Sequence, residues 1–190
     1  MQQKKFRFTT EEIVRIGMMG AVAALLGFYP EIPMAFFAPW LKLDFSYLPM
    51  LLTGFALGAV PGLMVLIIKN IFQLLTTESV GIGQLADMLV GCAMLFPAVS
   101  VYYKMRTRKG ALIGMATGLA CMCAVGLLSN RFILLPFYLG DGFNAYMDNN
   151  PAVLWTAVLP FNLIKGGMIS LLTYLLYKPL SRFLKRGLKG

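Results

Sequence analysis

From Val153 to Tyr177 the chain runs for about 25 residues broken by little besides Asn162 and Lys165. At about 1.5 Å of rise per residue, a helix of that length crosses a bilayer core. A lysine near the middle of such a run costs a few kcal/mol in hydrocarbon, so it pairs with something or faces a cavity. Asn162 and Lys165 are three apart and share one helical face. Two readings stand: Lys165 satisfies a neighbouring carbonyl or carboxylate and serves packing, or the face turns toward a ligand.

Further apolar runs separated by short polar links make the same demand. Of the 190 residues 58% are hydrophobic and 13% charged, where a soluble domain carries about a quarter charged. The composition is that of a polytopic membrane protein. The first apolar run, from Ile13, is long enough to remain as a helix and does not read as a cleaved signal peptide.

The net charge of +9 is topological. Of the 17 basic residues, 13 fall in three clusters: Lys4, Lys5, Arg7 and Arg15; Lys104, Arg106, Arg108 and Lys109; and Lys178, Arg182, Lys185, Arg186 and Lys189. Each flanks an apolar run, which marks cytoplasmic loops and gives no reason to expect a nucleic-acid partner. The amphipathic tail after Tyr177 is expected to ride on anionic membrane lipid.

Parity sets the number of crossings. The stretch from Tyr47 to Leu75 is too long for one straight span, and as a single helix it would put the 104–109 cluster outside. Split at Pro61-Gly62, it places every cluster inside. The expected fold is an all-α membrane protein, one integral domain over 1–190 with six transmembrane helices in a compact bundle and both termini cytoplasmic. The helices are expected at about 11–28, 47–59, 61–76, 82–103, 111–137 and 153–177. Thr9-Thr10-Glu11-Glu12 starts the first. The outer segment 29–46, with Pro30, Pro33, Pro39, Phe36, Phe37 and Trp40, is either an interfacial anchor or a lid over a pocket. The outer segment 138–152 has loop chemistry.

Lys69 and Asp87, lone charges on the third and fourth segments, are expected to pair, because isolated charges at membrane depth are costly. In the first helix Gly17 with Ala21 and Gly20 with Ala24 follow small-xxx-small spacing, which serves packing within the bundle or against a partner subunit.

Catalytic chemistry is sparse. The chain has no histidine, no phosphate-binding G-x-x-x-x-G-K-[ST] loop and no acidic pair suited to acid–base work. The 13 methionines read as filler, and Cys92, Cys121 and Cys123 as buried small hydrophobes. Asp44, Gln84, Asn130, Arg131, Asn162 and Lys165 instead all fall in the outer half. That pattern suits a pocket for a small, uncharged polar molecule.

Several blocks together carry a resemblance: Leu41-Lys42-Leu43-Asp44-Phe45-Ser46-Tyr47-Leu48-Pro49, Gly54-Phe55-Ala56-Leu57-Gly58 into Ile68-Lys69-Asn70, and Gly81-Ile82-Gly83-Gln84-Leu85-Ala86. With them go Asn130, Leu134-Leu135-Pro136 and Pro160-Phe161-Asn162-Leu163-Ile164-Lys165-Gly166. Over about residues 10–180 the chain resembles the riboflavin-specific substrate-binding components of energy-coupling-factor (ECF) vitamin transporters. The resemblance implies a non-enzymatic subunit of the cell membrane with no cofactor, riboflavin being the transported ligand. It implies partners as well: a transmembrane coupling subunit and two ATPase subunits.

Carried onto this chain, the ligand positions are Leu41, Leu43, Asp44 and Phe45 in the loop, Gln84, Asn130, Asn162 and Lys165. Many relatives are expected to have glutamate where this chain has Gln84. Leu41, Leu43, Phe45 and Phe132 are chemically suited to wall the flavin ring, and the amides and lysine to meet its polar edges. Gly17, Gly20, Ala21 and Ala24 are the implied docking face for the coupling subunit. The competing readings are a binding component for another vitamin, an intramembrane enzyme acting on a lipid, and a self-sufficient secondary transporter; the last would show internal repeats.

Overall fold

The computed structural model describes residues 8–29, 32–34, 38, 41–75 and 81–185. The expected lid aromatics Phe36, Phe37 and Trp40, and the first basic cluster except Arg15, lie outside these residues.

The chain enters α1 (Thr10–Phe28) through a capping box. The Thr9 hydroxyl accepts from the Glu12 amide at 3.2 Å, and the Glu12 carboxylate accepts from the Thr9 amide at 2.9 Å. Two orphan donors are thereby satisfied, with acids at the positive end of the helix dipole. Short strands β1 (Ile32–Pro33) and β2 (Lys42–Leu43) then pair antiparallel.

α2 (Tyr47–Leu57) is apolar on all sides and accordingly sits at the centre, against α1, α3, α4 and α8. Tyr47, Met50, Leu51 and Phe55 are fully buried and share one core with Leu66, Met94, Leu95, Met122 and Ile169. The chain reverses at Gly58, whose φ of +115° a side chain would resist. α3 (Ala59–Leu74) therefore runs back along α2. Tyr47 and Lys69, equidistant in sequence from Gly58, meet as a cation–ring contact of 5.6 Å. The break thus lies at Gly58 rather than at Pro61-Gly62; Pro61 sits in the first turn of α3, where its missing N–H costs nothing.

α4 (Ile82–Met105) and α5 (Arg108–Ser129) form an antiparallel pair joined by a two-residue turn, with Arg106 in the left-handed region. Gly114 and Gly118 let them approach: a Cβ at either would strike a carbonyl oxygen of α4, that of Ala98 or of Met94. Beyond Ser129 the chain stays helical to Asn149, through a π-turn at Asn130–Leu134, α6 (Leu135–Leu139), the short turn Gly140–Gly142 and α7 (Phe143–Asn149). The expectation of a loop over 138–152 is corrected here. Leu139, Phe143, Tyr146 and Met147 return at helical spacing and pack on Leu135, Val153 and Ala157. A second π-turn (Leu154–Val158) leads into α8 (Leu159–Lys185).

Six helical segments therefore form the bundle among the described residues, with α5 to α7 counted as one. Ile82–Met105, Arg108–Asn149 and Leu154–Tyr177 are long and apolar enough to cross a membrane. Leu25, Leu128, Trp155, Leu171 and Leu175, each more than half exposed, give the bundle an apolar outer surface suited to lipid. The three cysteines are free thiols.

Candidate ligand site at the loop end of the bundle

One end of the bundle gathers the start of α2, the start of α4, the Asn130 turn and the start of α8. Here the β1–β2 hairpin folds Leu41 and Leu43 inward, where they pack with Ala38 and Phe161. The Phe45 amide donates to the Leu26 carbonyl at 3.3 Å, hooking the loop to the end of α1.

Asp44 follows directly and is buried. Its Oδ1 accepts from the Ser46 amide at 2.8 Å and from the Ser46 hydroxyl, while its Oδ2 accepts from Lys165 Nζ at 2.7 Å. Burial by itself pushes the Asp44 carboxyl up; the Lys165 ammonium, with Lys69 and the Ser46 hydroxyl adding, outweighs it and lowers the carboxyl from 3.8 to about 2. Asp44 is a carboxylate at any physiological pH. The carboxylate that Lys165 needs comes from the loop, 121 residues away.

The pair extends into a second. Lys165 Nζ lies 4.8 Å from the Tyr47 ring centre, with Lys69 also over that ring. Lys69 Nζ meets Asp87 Oδ2 at 2.6 Å, as expected from sequence. The Tyr47 hydroxyl donates to the Asp87 carbonyl at 2.8 Å and lies 3.0 Å from its Oδ1. Two ammoniums and two carboxylates are thus arrayed about one tyrosine, with no net charge.

Beside this cluster stand two amides. Asn130 Nδ2 donates to the Gly126 carbonyl at 2.9 Å and Asn162 Nδ2 to the Val158 carbonyl at 2.8 Å. Both are buried, and Gly126, whose carbonyl Asn130 bonds, lies against Asn162: a Cβ there would come within 2.8 Å of Asn162 Nδ2. Each helix carries the same distortion here. Leu135 N–H reaches back five residues to the Asn130 carbonyl, and Leu159 N–H to the Leu154 carbonyl. In both cases proline is the next residue, Pro136 and Pro160. A proline cannot donate to the carbonyl four residues back, and that carbonyl, of Phe132 or Thr156, lies inside the π-turn in each case. Paired π-turns at one end of a bundle are a frequent mark of a functional site. The expected helices at 111–137 and 153–177 include both prolines and give no sign of the π-turns, although the matching offsets are visible in the chain.

The remaining expected residues divide. Phe45 is half-buried, and Gln84 is half-buried in the first turn of α4. Phe132 does not wall the site: its residue is 69% exposed, because it lies two residues from the inward-facing Asn130 and so on the opposite face of the helix. The neighbouring Arg131 instead places its guanidinium 4.6 Å from the Phe143 ring, tying the π-turn to α7. On α1, Gly20 and Ala24 are buried, with Ile68 of α3 against Gly20. They are corrected to internal packing positions, and Gly17 and Ala21 alone remain open.

The sequence profile of the family "ECF transporter, substrate-specific component" matches residues 11–177. The chain is 37% identical over 188 residues to the riboflavin transporter RibU of Staphylococcus aureus, covering 98% of this chain and 95% of that one. It is 28% identical to the riboflavin transporter FmnP of Bacillus subtilis, over 93% of this chain and 95% of that one. A solved structure described as the S component of a bacterial ECF transporter superposes with a TM-score of 0.78 at 34% identity, covering 93% of this chain and 98% of that chain. This chain belongs to the substrate-specific components of the ECF transporters, integral membrane transport subunits rather than enzymes.

Proposed function

We infer that this chain is the riboflavin-binding subunit of an ECF-type importer. It takes the vitamin at the loop end of the bundle and releases it inward when a separate ATP-driven module acts on it. The near full-length likeness to riboflavin transporters carries the assignment. The chemistry of the loop end supports it. Riboflavin offers a flat, largely apolar ring system with imide and carbonyl edges and a neutral polyol tail. Leu41 and Leu43 offer apolar wall. Asn130 and Asn162 offer paired donors and acceptors, and Asp44 with Lys165 offers one charged acceptor and one charged donor without net charge.

The topology follows from charge. Lys104, Arg106, Arg108 and Lys109 are exposed at the α4–α5 turn, opposite the loop end. By the positive-inside rule that end, with both termini, lies in the cytoplasm. The coupling subunit and its two ATPases then engage from within the membrane and below it, and Gly17 and Ala21 are the small residues of α1 open to such a partner.

Three measurements test this. The protein purified from cells grown with riboflavin is expected to be yellow and to hold one flavin per chain. Asn162→Ala is expected to weaken flavin binding about 10–100-fold by removing its polar contacts. A colourless protein that leaves the fluorescence of added riboflavin unquenched would remove the assignment. Separately, Ala21→Trp is expected to leave flavin affinity unchanged while abolishing uptake in cells that carry the ATP-driven module. Normal uptake by that variant would move the docking face elsewhere.

A further inference from the structure

Tyr47, the first residue of α2, is where the two buried ion pairs meet. The residue is 1% exposed and is seated on one face of α4. Asp87 and Gly91, four apart on that helix, share the face. At Asp87 the Tyr47 hydroxyl donates to the main-chain carbonyl at 2.8 Å and lies 3.0 Å from the carboxylate. At Gly91 a Cβ would come within 3.3 Å of Tyr47 Cε1, so the glycine gives the ring its room. Hydroxyl and ring edge are thus both fixed to α4.

Lys165 depends on that ring. A lysine ammonium is a compact charge on a flexible stem; one carboxylate fixes how far it reaches but not where it points. Asp44 holds Lys165 Nζ at 2.7 Å from the loop. The Tyr47 ring, with its centre 4.8 Å from the same nitrogen, holds it from a second direction that belongs to the packed core of the bundle. Lys69 would disturb this arrangement if left alone. Its ammonium lies 5.6 Å from the same ring centre and within electrostatic reach of Asp44. Asp87, at 2.6 Å, draws Lys69 aside and leaves Asp44 to Lys165. One residue of α4 therefore anchors the tyrosine and removes the competing cation.

We propose that Tyr47 is a positioning residue for ligand capture: anchored by Asp87 and seated on Gly91, it aims the Lys165 ammonium at the ligand. The Lys69–Asp87 pair then acts on binding through Tyr47 as well as on stability. The proposal rests on riboflavin being the ligand.

The experiment uses the full chain in detergent micelles, labelled with ε-13C lysine. The Lys165 signal, identified by its absence from Lys165→Met, is shifted by the ring beneath it and so reports where the ammonium sits without any ligand present. Tyr47→Phe keeps the ring and removes only the anchoring hydroxyl. It is expected to move the Lys165 signal and to weaken riboflavin binding about 10-fold. Gly91→Ala changes no polar group but crowds the ring and the neighbouring Leu66. It is expected to move the same signal and to weaken binding about 5-fold. Tyr103→Phe, the same chemical change at the opposite end of the bundle, is expected to change neither. Thermal unfolding shows which variants fold, and either Tyr47→Phe or Gly91→Ala suffices to decide. A parent that binds no riboflavin would remove the functional reading and this proposal with it. A parent that binds, with variants that bind equally tightly or that bind weakly while the Lys165 signal stays in place, would overturn this proposal alone.

Discussion

Lys165→Met is expected to damage the protein in two separable ways. It leaves Asp44 buried without the ammonium that is hydrogen-bonded to it, and breaking a buried pair from one side costs about 3–5 kcal/mol. The Ser46 contacts that remain are neutral and do not replace an ammonium. The single variant should therefore melt well below the parent in detergent and lose flavin binding.

Adding Asp44→Asn removes the orphaned charge. The double variant should recover most of the lost stability, because a neutral replacement of a buried pair is often no less stable than the pair. It should not recover flavin affinity. Stability without binding would establish that the pair serves the ligand, whereas recovery of both would make it a structural strut and move the polar contacts to Asn130 and Asn162. Acid is a poor substitute for mutation here. Since the Asp44 carboxyl is lowered from 3.8 to about 2, the stabilisation from this pair is intact above about pH 4 and disappears only as pH falls through about 2.

The Lys69–Asp87 pair predicts an asymmetry. The side chain of Lys69 is 1% exposed and that of Asp87 20%. Asp87→Asn strands an ammonium with no access to water, at a cost of about 3–5 kcal/mol. Lys69→Met strands a carboxylate that is partly solvated and still accepts from the Tyr47 hydroxyl, so it should cost roughly half as much. Reversal at both positions should restore part of the expression lost by either single change. Thermal unfolding of the set checks the order. If Lys69→Met proved the more damaging, the water-access explanation would fail; if the reversal rescued nothing, the two charges would not be acting as a pair.

These two pairs also separate what can be read locally from what cannot. Lys69 and Asp87 stand on consecutive apolar helices, where each charge needs a partner and the other is the near one, so the pair is legible in the chain. Lys165 states the same need, but its partner sits in a loop. Only the packing of that loop, through Leu41, Leu43 and Phe161, brings Asp44 within reach.

The same contrast runs through the fold. Hydropathy and the distribution of basic residues determined that the chain is a bundle of short and long membrane helices, because the cost of burying charge or unpaired backbone in lipid leaves few other arrangements. Tertiary structure decided the rest. It moved the reversal from Pro61-Gly62 to Gly58, where a positive φ is needed and a first-turn proline is harmless. It kept 138–149 helical despite its glycines and asparagines, because Leu139, Phe143, Tyr146 and Met147 bury together. It turned Gly20 and Ala24 inward and Phe132 outward. Which face of a helix meets its neighbours depends on side chains from distant parts of the chain, and that information is present in the sequence only as a whole.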